Sequence, residues 1–297
     1  MKARTAHHRR RADVAAVAVL VGIFVLGLTA YGVLGGFLRR VDVAVNSMSR
    51  IEAVGAYAGR PTVPADTGPD NFAVFAANAD GSLYAALVLH LDAPRQVLTV
   101  IGVPADVRLA DGLTLASAFV AGPSTATKGL EQLVSAPMSH QFVLHLDECR
   151  PVISTAGGLN IDGPMDADAV EDYLNAAGTP QAMASRLSTV TAATLSTFTV
   201  VGSLTNPQSF DDAMDALTPC ISVDATLTNA EVQSILVSLK IHTHDIGTTV
   251  LSAPGQAYSR VAPSGDVPVV PATTLRAALN RDDFASVPLS YPSSAKR

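Results

Sequence analysis

An uncharged run of 25 residues near the N-terminus, positions 14–38, constrains this chain most strongly. As an α-helix it would be about 37 Å long at roughly 1.5 Å per residue, which is enough to cross a bilayer with some tilt. A cleaved signal peptide is the alternative. Its apolar region is shorter, roughly 7–15 residues, and a small-residue cleavage site would follow where Arg39-Arg40 stand. The pattern therefore predicts an uncleaved, single-pass transmembrane helix.

The basic residues are concentrated ahead of this run, in residues 1–13. The positive-inside rule therefore predicts that this basic tail stays in the cytoplasm and that residues 41–297 lie outside the cell membrane. The part after Arg40 carries 13 basic and 25 acidic residues, a balance of about −12. That charge disfavours binding of nucleic acid through phosphate neutralisation, so no nucleic-acid partner is expected.

Hydrophobic patterning divides the predicted exterior portion into three parts. Residues 41–69 are predicted to form a membrane-proximal stalk, amphipathic up to Ala58 and then rich in Gly, Pro and Thr. In residues 70–240, short apolar runs typical of buried strands alternate with segments of helical spacing, which predicts an α/β domain around one sheet. Residues 241–297 are predicted to add an edge strand and then a loose C-terminal tail.

The chain has two cysteines, Cys149 and Cys220, both in the predicted exterior portion. In an oxidising compartment such a pair favours a disulfide, which here would close a loop of about 70 residues and stabilise the fold by about 4 kcal/mol in the chain-entropy treatment. The alternative is two separate buried thiols. There is no CxxC motif, so neither thiol redox catalysis nor zinc binding has support.

Five segments carry a resemblance through their order and spacing. They are NFAVFAAN (71–78), GSLYAALVLHLDAPRQVLTVIGVPADV (81–107), TLASAFVAGP (114–123), LEQLVSAPMSHQFVLHLDECRPVISTAGGLNIDGP (130–164) and MDADAVEDYLN (165–175). In these segments the chain resembles the extracellular domain of the LytR-CpsA-Psr (LCP) family. These membrane-anchored proteins attach glycopolymers from a polyprenyl pyrophosphate carrier to the bacterial cell wall. The resemblance implies a three-layer α/β/α domain with a central mixed sheet.

In that family, arginines and aspartates surround the pyrophosphate. Guanidinium groups pair bidentately with phosphate oxygens, and a carboxylate-held Mg²⁺ neutralises further charge. The motif positions kept in this chain are Asp106, Tyr173 and Arg186. The resemblance implies that Asp106 and Arg186 are remnants of the catalytic site and that Tyr173 binds ligand. It also implies that three apolar side chains line a polyprenyl tunnel: Phe119, Leu195 and Phe198.

Most of the family's polar site positions are substituted here. Residues without charge stand where the family has arginine, aspartate, lysine, asparagine or glutamine: Gly81, Leu83, Ala105, Thr114, Ala116, Asn175, Met183 and Leu187. Each lost charge-assisted hydrogen bond costs about 1.5–3 kcal/mol, and about 1.4 kcal/mol is tenfold in rate. We therefore predict a divergent member of cell-envelope biogenesis that binds a polyprenyl-phosphate-type lipid or a glycopolymer with impaired or absent transfer. Mg²⁺ is expected only if transfer is retained.

Two other function classes stay open. An active glycopolymer phosphotransferase would need basic residues from other positions, and the candidates are Arg108, Lys128 and Arg150. A non-catalytic envelope scaffold would use the domain for protein contacts alone. His242 and His244 alternate as on one face of a strand, but with only an aspartate adjacent the donors are too few, and no metal site is predicted.

Overall fold

The computed structural model describes residues 34–62, 68–200, 207–238, 241, 245–252 and 267–291. The predicted cytoplasmic tail and residues 14–33 of the predicted anchor lie outside these residues, as do His242 and His244. The first described helix, α1 (Leu34–Ser47), contains the last five positions of the predicted anchor. Of the helices that the structure describes, none has both the length and the apolar character that crossing a membrane requires.

Eight strands of the described residues form one mixed sheet. They are β1 (Ser49–Ile51), β2 (Asp70–Ala77), β3 (Leu83–Leu91), β4 (Leu98–Pro104), β5 (His140–His145), β8 (Ile221–Asp224), β9 (Ile246–Leu251) and β10 (Val269–Val270), with β6 (Leu159–Asn160) and β7 (Pro164–Met165) in a separate hairpin. The order across the sheet is β1-β8-β5-β2-β3-β4-β9-β10. Strands β2, β3 and β4 form an antiparallel meander, while β5 is parallel to β2 and β9 is parallel to β4.

Helices cover both faces of this sheet. They are α2 (Leu115–Val120), α3 (Pro123–Val134), α4 (Arg150–Thr155), α5 (Ala167–Asn175), α6 (Pro180–Val200), α7 (Pro207–Leu217), α8 (Asn229–Ser238) and α9 (Ala272–Arg281). Because successive strand side chains point to opposite faces, Phe72 and Val74 enter a first core with α1 and α4 to α8. Ala73 and Phe75 enter a second core with α2, α3 and α9. The prediction of an α/β domain around a central mixed sheet is confirmed.

The segment predicted as a stalk, residues 41–69, begins inside the folded domain. Val41, Val45 and Met48 are buried in the first core, and the chain then enters the sheet as β1, which pairs with β8. The amphipathic pattern extends to Ala58, but the helix itself ends at Ser47. The apolar face of α1 packs against the first core, which removes that surface from water.

Glu131 on α3 holds the segment that follows β1. Its side chain is fully buried and accepts hydrogen bonds from the Tyr57 hydroxyl at 2.7 Å, from Arg60 Nη2 at 3.1 Å and from the Met138 backbone N–H at 2.8 Å. Burial, together with the hydrogen bond to Glu131, raises the pKa of Tyr57. A buried carboxylate is tolerated here because it is paired and hydrogen-bonded.

Replacing this carboxylate should therefore destabilise the domain strongly. We expect Glu131→Ala to lower the free energy of unfolding by about 3 kcal/mol or more, because Arg60 and the Met138 N–H lose their buried acceptor. Urea unfolding of the purified full-length chain in detergent measures this change. Glu148→Ala removes an exposed glutamate and is the matched control. Equal midpoints for the two variants would contradict the role given to Glu131.

The C-terminal part is packed rather than loose. Residues 241–297, predicted to add one edge strand, contribute two: β9, which lies between β4 and β10, and β10 at the edge of the sheet. Leu275 and Leu279 of α9 are buried in the second core, and Ser290 exchanges two backbone hydrogen bonds with Thr248, at 2.7 and 2.9 Å. The prediction of a loose tail is therefore wrong for residues 267–291. A composition rich in Gly, Pro, Ser and Thr is typical of loops, yet this segment contains the short helix α9, whose apolar face packs in the second core.

Gly102 sets how closely α6 approaches the sheet. Helix α6 lies across β3, β4 and β9. A Cβ atom added at Gly102 would lie 2.6 Å from the carbonyl oxygen of Ala184, a backbone atom that cannot rotate away. The absence of a side chain in β4 therefore lets the beginning of α6 lie directly on the strand.

A methyl group at this position should force the helix away from the sheet. We expect Gly102→Ala to lower the free energy of unfolding by about 1–3 kcal/mol through overpacking. Gly178→Ala is the control, because a Cβ there meets nothing within 4 Å. Thermal unfolding of the two variants gives the comparison, and a stable Gly102→Ala protein would show that α6 is not held by this contact.

Candidate functional site

The carboxyl ends of β2, β4, β5 and β9 meet at one edge of the sheet, because these strands run in the same direction. We call this the carboxyl edge. In open α/β sheets, ligands bind preferentially in the crevice beyond such an edge. Asp106 follows β4 there, and the contact between Gly102 and Ala184 brings the first turns of α6 close to it. The carboxyl edge is therefore the candidate functional site.

Two of the predicted site residues, Arg186 and Tyr173, are in contact. The guanidinium carbon of Arg186 lies 4.9 Å from the centre of the Tyr173 ring, and Arg186 Nη1 donates a hydrogen bond to the Tyr173 carbonyl oxygen. The buried Tyr84 hydroxyl donates to the Leu174 carbonyl oxygen at 2.9 Å. Burial raises the pKa of Tyr84, although the positive charge of Arg186 opposes that shift. We call these three side chains the tyrosine–arginine cluster.

The tyrosine–arginine cluster donates hydrogen bonds to backbone carbonyl groups at the C-terminal end of α5. The carbonyl groups of Tyr173 and Leu174 belong to the last turn of α5, where the regular helical N–H donors run out. The Leu174 carbonyl also accepts the Ala177 N–H at 3.0 Å. A positive charge is favourable at a helix C-terminus because of the helix dipole. The contacts of Arg186 with α5 therefore account for the position of its guanidinium group without a bound anion.

Asp106 lies in the turn that follows β4. Its side chain is exposed, and the turn is closed by a hydrogen bond from the Val107 N–H to the Pro104 carbonyl at 3.2 Å. The neighbouring Ala105 is buried in the second core, whereas the tyrosine–arginine cluster packs on the first-core side. The small side chain of Ala105 thus occupies a packed position on the other face of the sheet.

Phe119 and Leu195 lie on opposite faces of the sheet. The Phe119 ring is 5.3 Å from the Phe75 ring in the second core, whereas Leu195 on α6 is fully buried in the first core. The structure therefore does not bring these two predicted lining residues together, because the sheet stands between them. Phe198 belongs to α6, but its side chain lies outside the part of the chain that the structure describes.

Cys149 and Cys220 form a disulfide in the structure, with 2.02 Å between their sulfur atoms. Both residues are fully buried. The bond joins the residue before α4 to the short turn that leads into β8, so it fastens two chain segments next to the carboxyl edge. Beside it, His145 Nε2 lies 2.9 Å from the Ser222 hydroxyl.

Neither a family model nor a curated protein matches this sequence, but solved structures do. The LytR-Csp2A-Psr enzyme from Actinomyces oris is 13% identical, with a TM-score of 0.56 over 79% of this chain and 95% of that one. TagT bound to LI-WTA is 12% identical, with a TM-score of 0.55 over 78% and 98%. TagV from B. subtilis is 14% identical, with a TM-score of 0.52 over 73% and 98%. The chain has an LCP-like fold.

The LCP-like fold confirms the resemblance drawn from the five segments. The low identity of these neighbours agrees with the prediction of a divergent sequence. The structure also shows the contacts of the three basic residues that are candidates to replace the missing cations. Arg108 Nη1 donates to the Gly112 carbonyl at 3.2 Å, and Lys128 Nζ lies 5.0 Å from the centre of the Tyr57 ring. Arg150 forms ion pairs with Asp168 and Glu171.

Each of these three basic residues has a contact of its own in the LCP-like domain. Arg108 bonds within its own loop, Lys128 lies on α3 over the second core, and Arg150 is paired with carboxylates of α5. Within the described residues, no group of three or more His, Cys, Asp or Glu side chains is arranged to hold a metal ion. Because Mg²⁺ prefers several oxygen ligands, the exposed carboxylate of Asp106 does not by itself fit a magnesium site.

Sequence reasoning missed two side chains that the structure makes important, Tyr84 and Glu131. Tyr84 was the one hydroxyl in a run of nine buried strand residues, and a buried tyrosine usually needs a hydrogen-bond partner. Glu131 is a charged residue on a helix, a type usually found on the solvent-facing side, yet its side chain is fully buried. Neither signal identifies the partner, because Leu174 and Tyr57 are distant in sequence.

The tyrosine–arginine cluster should contribute measurably to stability. We expect Arg186→Met, which keeps the length of the side chain, to lower the free energy of unfolding by about 1–2 kcal/mol, through loss of the contacts with Tyr173. Arg281→Met is the matched control, since Arg281 is exposed and bonds only within its own helix turn. Urea unfolding distinguishes them, and an Arg186→Met midpoint equal to that of Arg281→Met would contradict this role.

Proposed function

We propose that this chain is a membrane-anchored, extracytoplasmic LCP-like protein of cell-envelope biogenesis. In this proposal it binds a polyprenyl-phosphate-type lipid and has lost most or all glycopolymer transfer. The observation that carries the proposal is that Arg186, the basic residue kept at the family's site positions, contacts the end of α5 through Tyr173. The fold supports the general class, because LytR-CpsA-Psr-type enzymes share it.

The charge of the ligand explains why this substitution pattern matters. A pyrophosphate carries several negative charges, and its transfer requires that they be neutralised in the transition state. Ala105, Asn175 and Met183 stand where the family has arginines, and each lost charge-assisted hydrogen bond costs about 1.5–3 kcal/mol. Three such losses lower the rate by at least about a thousandfold at tenfold per 1.4 kcal/mol. A single phosphate makes a smaller electrostatic demand. Binding of a polyprenyl phosphate is compatible with the N–H groups of Arg186 other than the one donated to the Tyr173 carbonyl.

Two features support the proposed location. The 25-residue uncharged run is long enough for a bilayer, and the basic cluster just ahead of it, in residues 1–13, is larger than the Arg39-Arg40 pair just after it. The disulfide between Cys149 and Cys220 fits an oxidising, extracytoplasmic compartment. Because α1 continues from positions 34–38 into the buried first core, an anchor there would hold the domain close to the membrane surface.

The full-length chain in lipid nanodiscs tests both parts of the proposal. We expect saturable binding of a radiolabelled polyprenyl phosphate, and turnover of a glycopolymer-bearing polyprenyl pyrophosphate with Mg²⁺ at least about a thousandfold below that of a family member that keeps the arginines. Turnover comparable to that of such a member would establish an active phosphotransferase instead. Failure to bind either lipid would contradict the lipid-binding role and favour the scaffold.

Restoring the missing cations should restore function toward the pyrophosphate. We expect Asn175→Arg with Met183→Arg to tighten binding of the pyrophosphate lipid at least about tenfold, since each new charge-assisted pair is worth about 1.5–3 kcal/mol. Gln96→Arg with Asn280→Arg adds the same charge at exposed positions away from the carboxyl edge. Equal gains in both pairs would show that net charge, not this edge, governs binding.

A further inference from the structure

The uncharged run near the N-terminus and the folded domain share helix α1. The run ends at position 38, and α1 is helical from Leu34 onward, so the first five residues of the helix belong to the run. Val41, only three positions after Leu38, is 1% exposed and already packs in the first core. The chain therefore passes from the run into the domain core within one helix, and no loop separates the two.

Helix α1 is fastened to the domain along its length. The side of the helix that faces the first core is a stripe at helical spacing, formed by Val41, Ala44, Val45 and Met48. On its flank, Gln233 Nε2 of α8 donates a hydrogen bond to Asp42 Oδ1 at 2.7 Å. Arg50 donates to the Val45 carbonyl at 3.2 Å and to the Leu227 carbonyl at 2.9 Å. These contacts hold α1 in one orientation relative to the sheet.

The sequence across the junction favours an unbroken helix. Between Phe37 and Ser47 there is neither glycine nor proline, the two residues that weaken a helix most. Gly35 and Gly36 are helical in α1 and belong to the uncharged run. In the proposed anchor they lie at membrane depth, where no water competes for the backbone hydrogen bonds. An unbroken helix transmits the direction of the anchor to the domain.

The face of α1 that points away from the first core carries Arg39, Val43 and Asn46, and all three side chains are exposed. Val43 is 64% exposed although it is apolar. It lies about 7.5 Å beyond Leu38 along the helix, at about 1.5 Å per residue. The headgroup layer extends about 5–7 Å beyond each side of the hydrocarbon core. This outward face is therefore at the height of the headgroups, where a basic group next to an apolar side chain is favourable.

The length of the run indicates which side of α1 faces the lipid. A helix of 25 residues is about 37 Å long, whereas the hydrocarbon core is about 30 Å thick, so the helix tilts. The domain occupies the side of α1 formed by the buried stripe, and a folded domain with a polar surface cannot enter the bilayer. The helix therefore leans with Arg39 and Val43 toward the membrane surface.

We propose that α1 is the outer end of the anchor helix, that it forms a fixed joint with the domain, and that Arg39 and Val43 dock in the headgroup layer of the outer leaflet. The inference rests on the membrane anchor of the proposed function and adds the joint to it. The lipid surface is the partner of this face because the 33 residues before Leu34 lead into the bilayer. Arg39 pairs with lipid phosphate groups, which match the guanidinium fork.

The joint also sets the height of the candidate functional site. Strand β1 follows α1 directly, and its first residue, Ser49, pairs with Ser222, which pairs in turn with Val143 near the carboxyl end of β5. The end of α1 at Ser47 lies about 14 Å beyond Leu38 along the helix. A fixed joint therefore keeps the carboxyl edge at a constant, short distance from the lipid headgroups.

Tryptophan fluorescence of the full-length chain in vesicles tests the joint, because the chain has no tryptophan of its own. The vesicles contain equal parts of phosphatidylcholine and phosphatidylglycerol, with a quenching spin label on the headgroups. Single reporters on the outward face are Arg39→Trp, Val43→Trp and Asn46→Trp. The control is Val97→Trp, an exposed position in the turn before β4, which lies five strands from β1, about 24 Å at about 4.8 Å per strand.

We expect quenching to decrease in the order Arg39→Trp, Val43→Trp, Asn46→Trp, because these positions lie about 6 and then about 4.5 Å further along the helix. The first two should be quenched more strongly than Val97→Trp. Quenching of both at the level of the control would overturn the joint. Equal, strong quenching at all three positions would overturn it too, since that result describes a helix lying flat on the membrane.

A reporter in the middle of the run separates failure of the joint from failure of the anchor. Leu26→Trp, in vesicles whose lipids carry bromine on the acyl chains, should be quenched if the run crosses the bilayer. Quenching of Leu26→Trp without quenching on α1 would overturn the joint alone. An unquenched Leu26→Trp would overturn the membrane anchor of the proposed function and the joint with it.

Discussion

Burial of the sheet on both faces is the constraint on which the rest of this structure depends. Every residue of β3, and every residue of β4, is buried, so the meander cannot leave either face in water. The first core is closed by α1 and α4 to α8, and the second by α2, α3 and α9. This demand explains why α1 and the C-terminal segment, both outside the predicted domain, are packed into it.

Three buried or partly buried charged side chains in this protein form contacts that connect distant segments of the chain. Glu131 holds the chain after β1, Asp282 holds the end of α9 to β3, and Arg186 holds α5 to α6. Each carries its charge into a partly or fully buried place, where hydrogen bonds, and for Arg186 also the contact with the Tyr173 ring, compensate its desolvation. The cost of leaving any partner unpaired makes these contacts specific. The same use of Arg186 in packing distinguishes the carboxyl edge here from a site built to grip a pyrophosphate.

Much of the central domain was predictable because local patterns carry it. The strands of the meander and β5 are short apolar runs, and α5 begins at Asp166, whose side chain caps the helix by accepting the Ala169 N–H. The boundaries at both ends were not predictable from these patterns. An amphipathic helix such as α1 has the same sequence whether its apolar face meets a membrane-proximal partner or the domain core. Strand β9 is an inner strand only because β10 pairs with it. The turn-rich composition of residues 241–297 gives no sign of β10.

The sequence by itself determined the α/β alternation, the kinship in fold, the cysteine pair and the substitution of the family's cationic positions, since these depend on residue identity and short-range spacing. Only the tertiary structure decided that Arg186 contacts Tyr173, that Phe119 and Leu195 are separated by the sheet, and that His90 meets Asp282. These pairings join residues up to 192 positions apart. No local pattern encodes them, because they follow from which strands pair and which face each side chain takes.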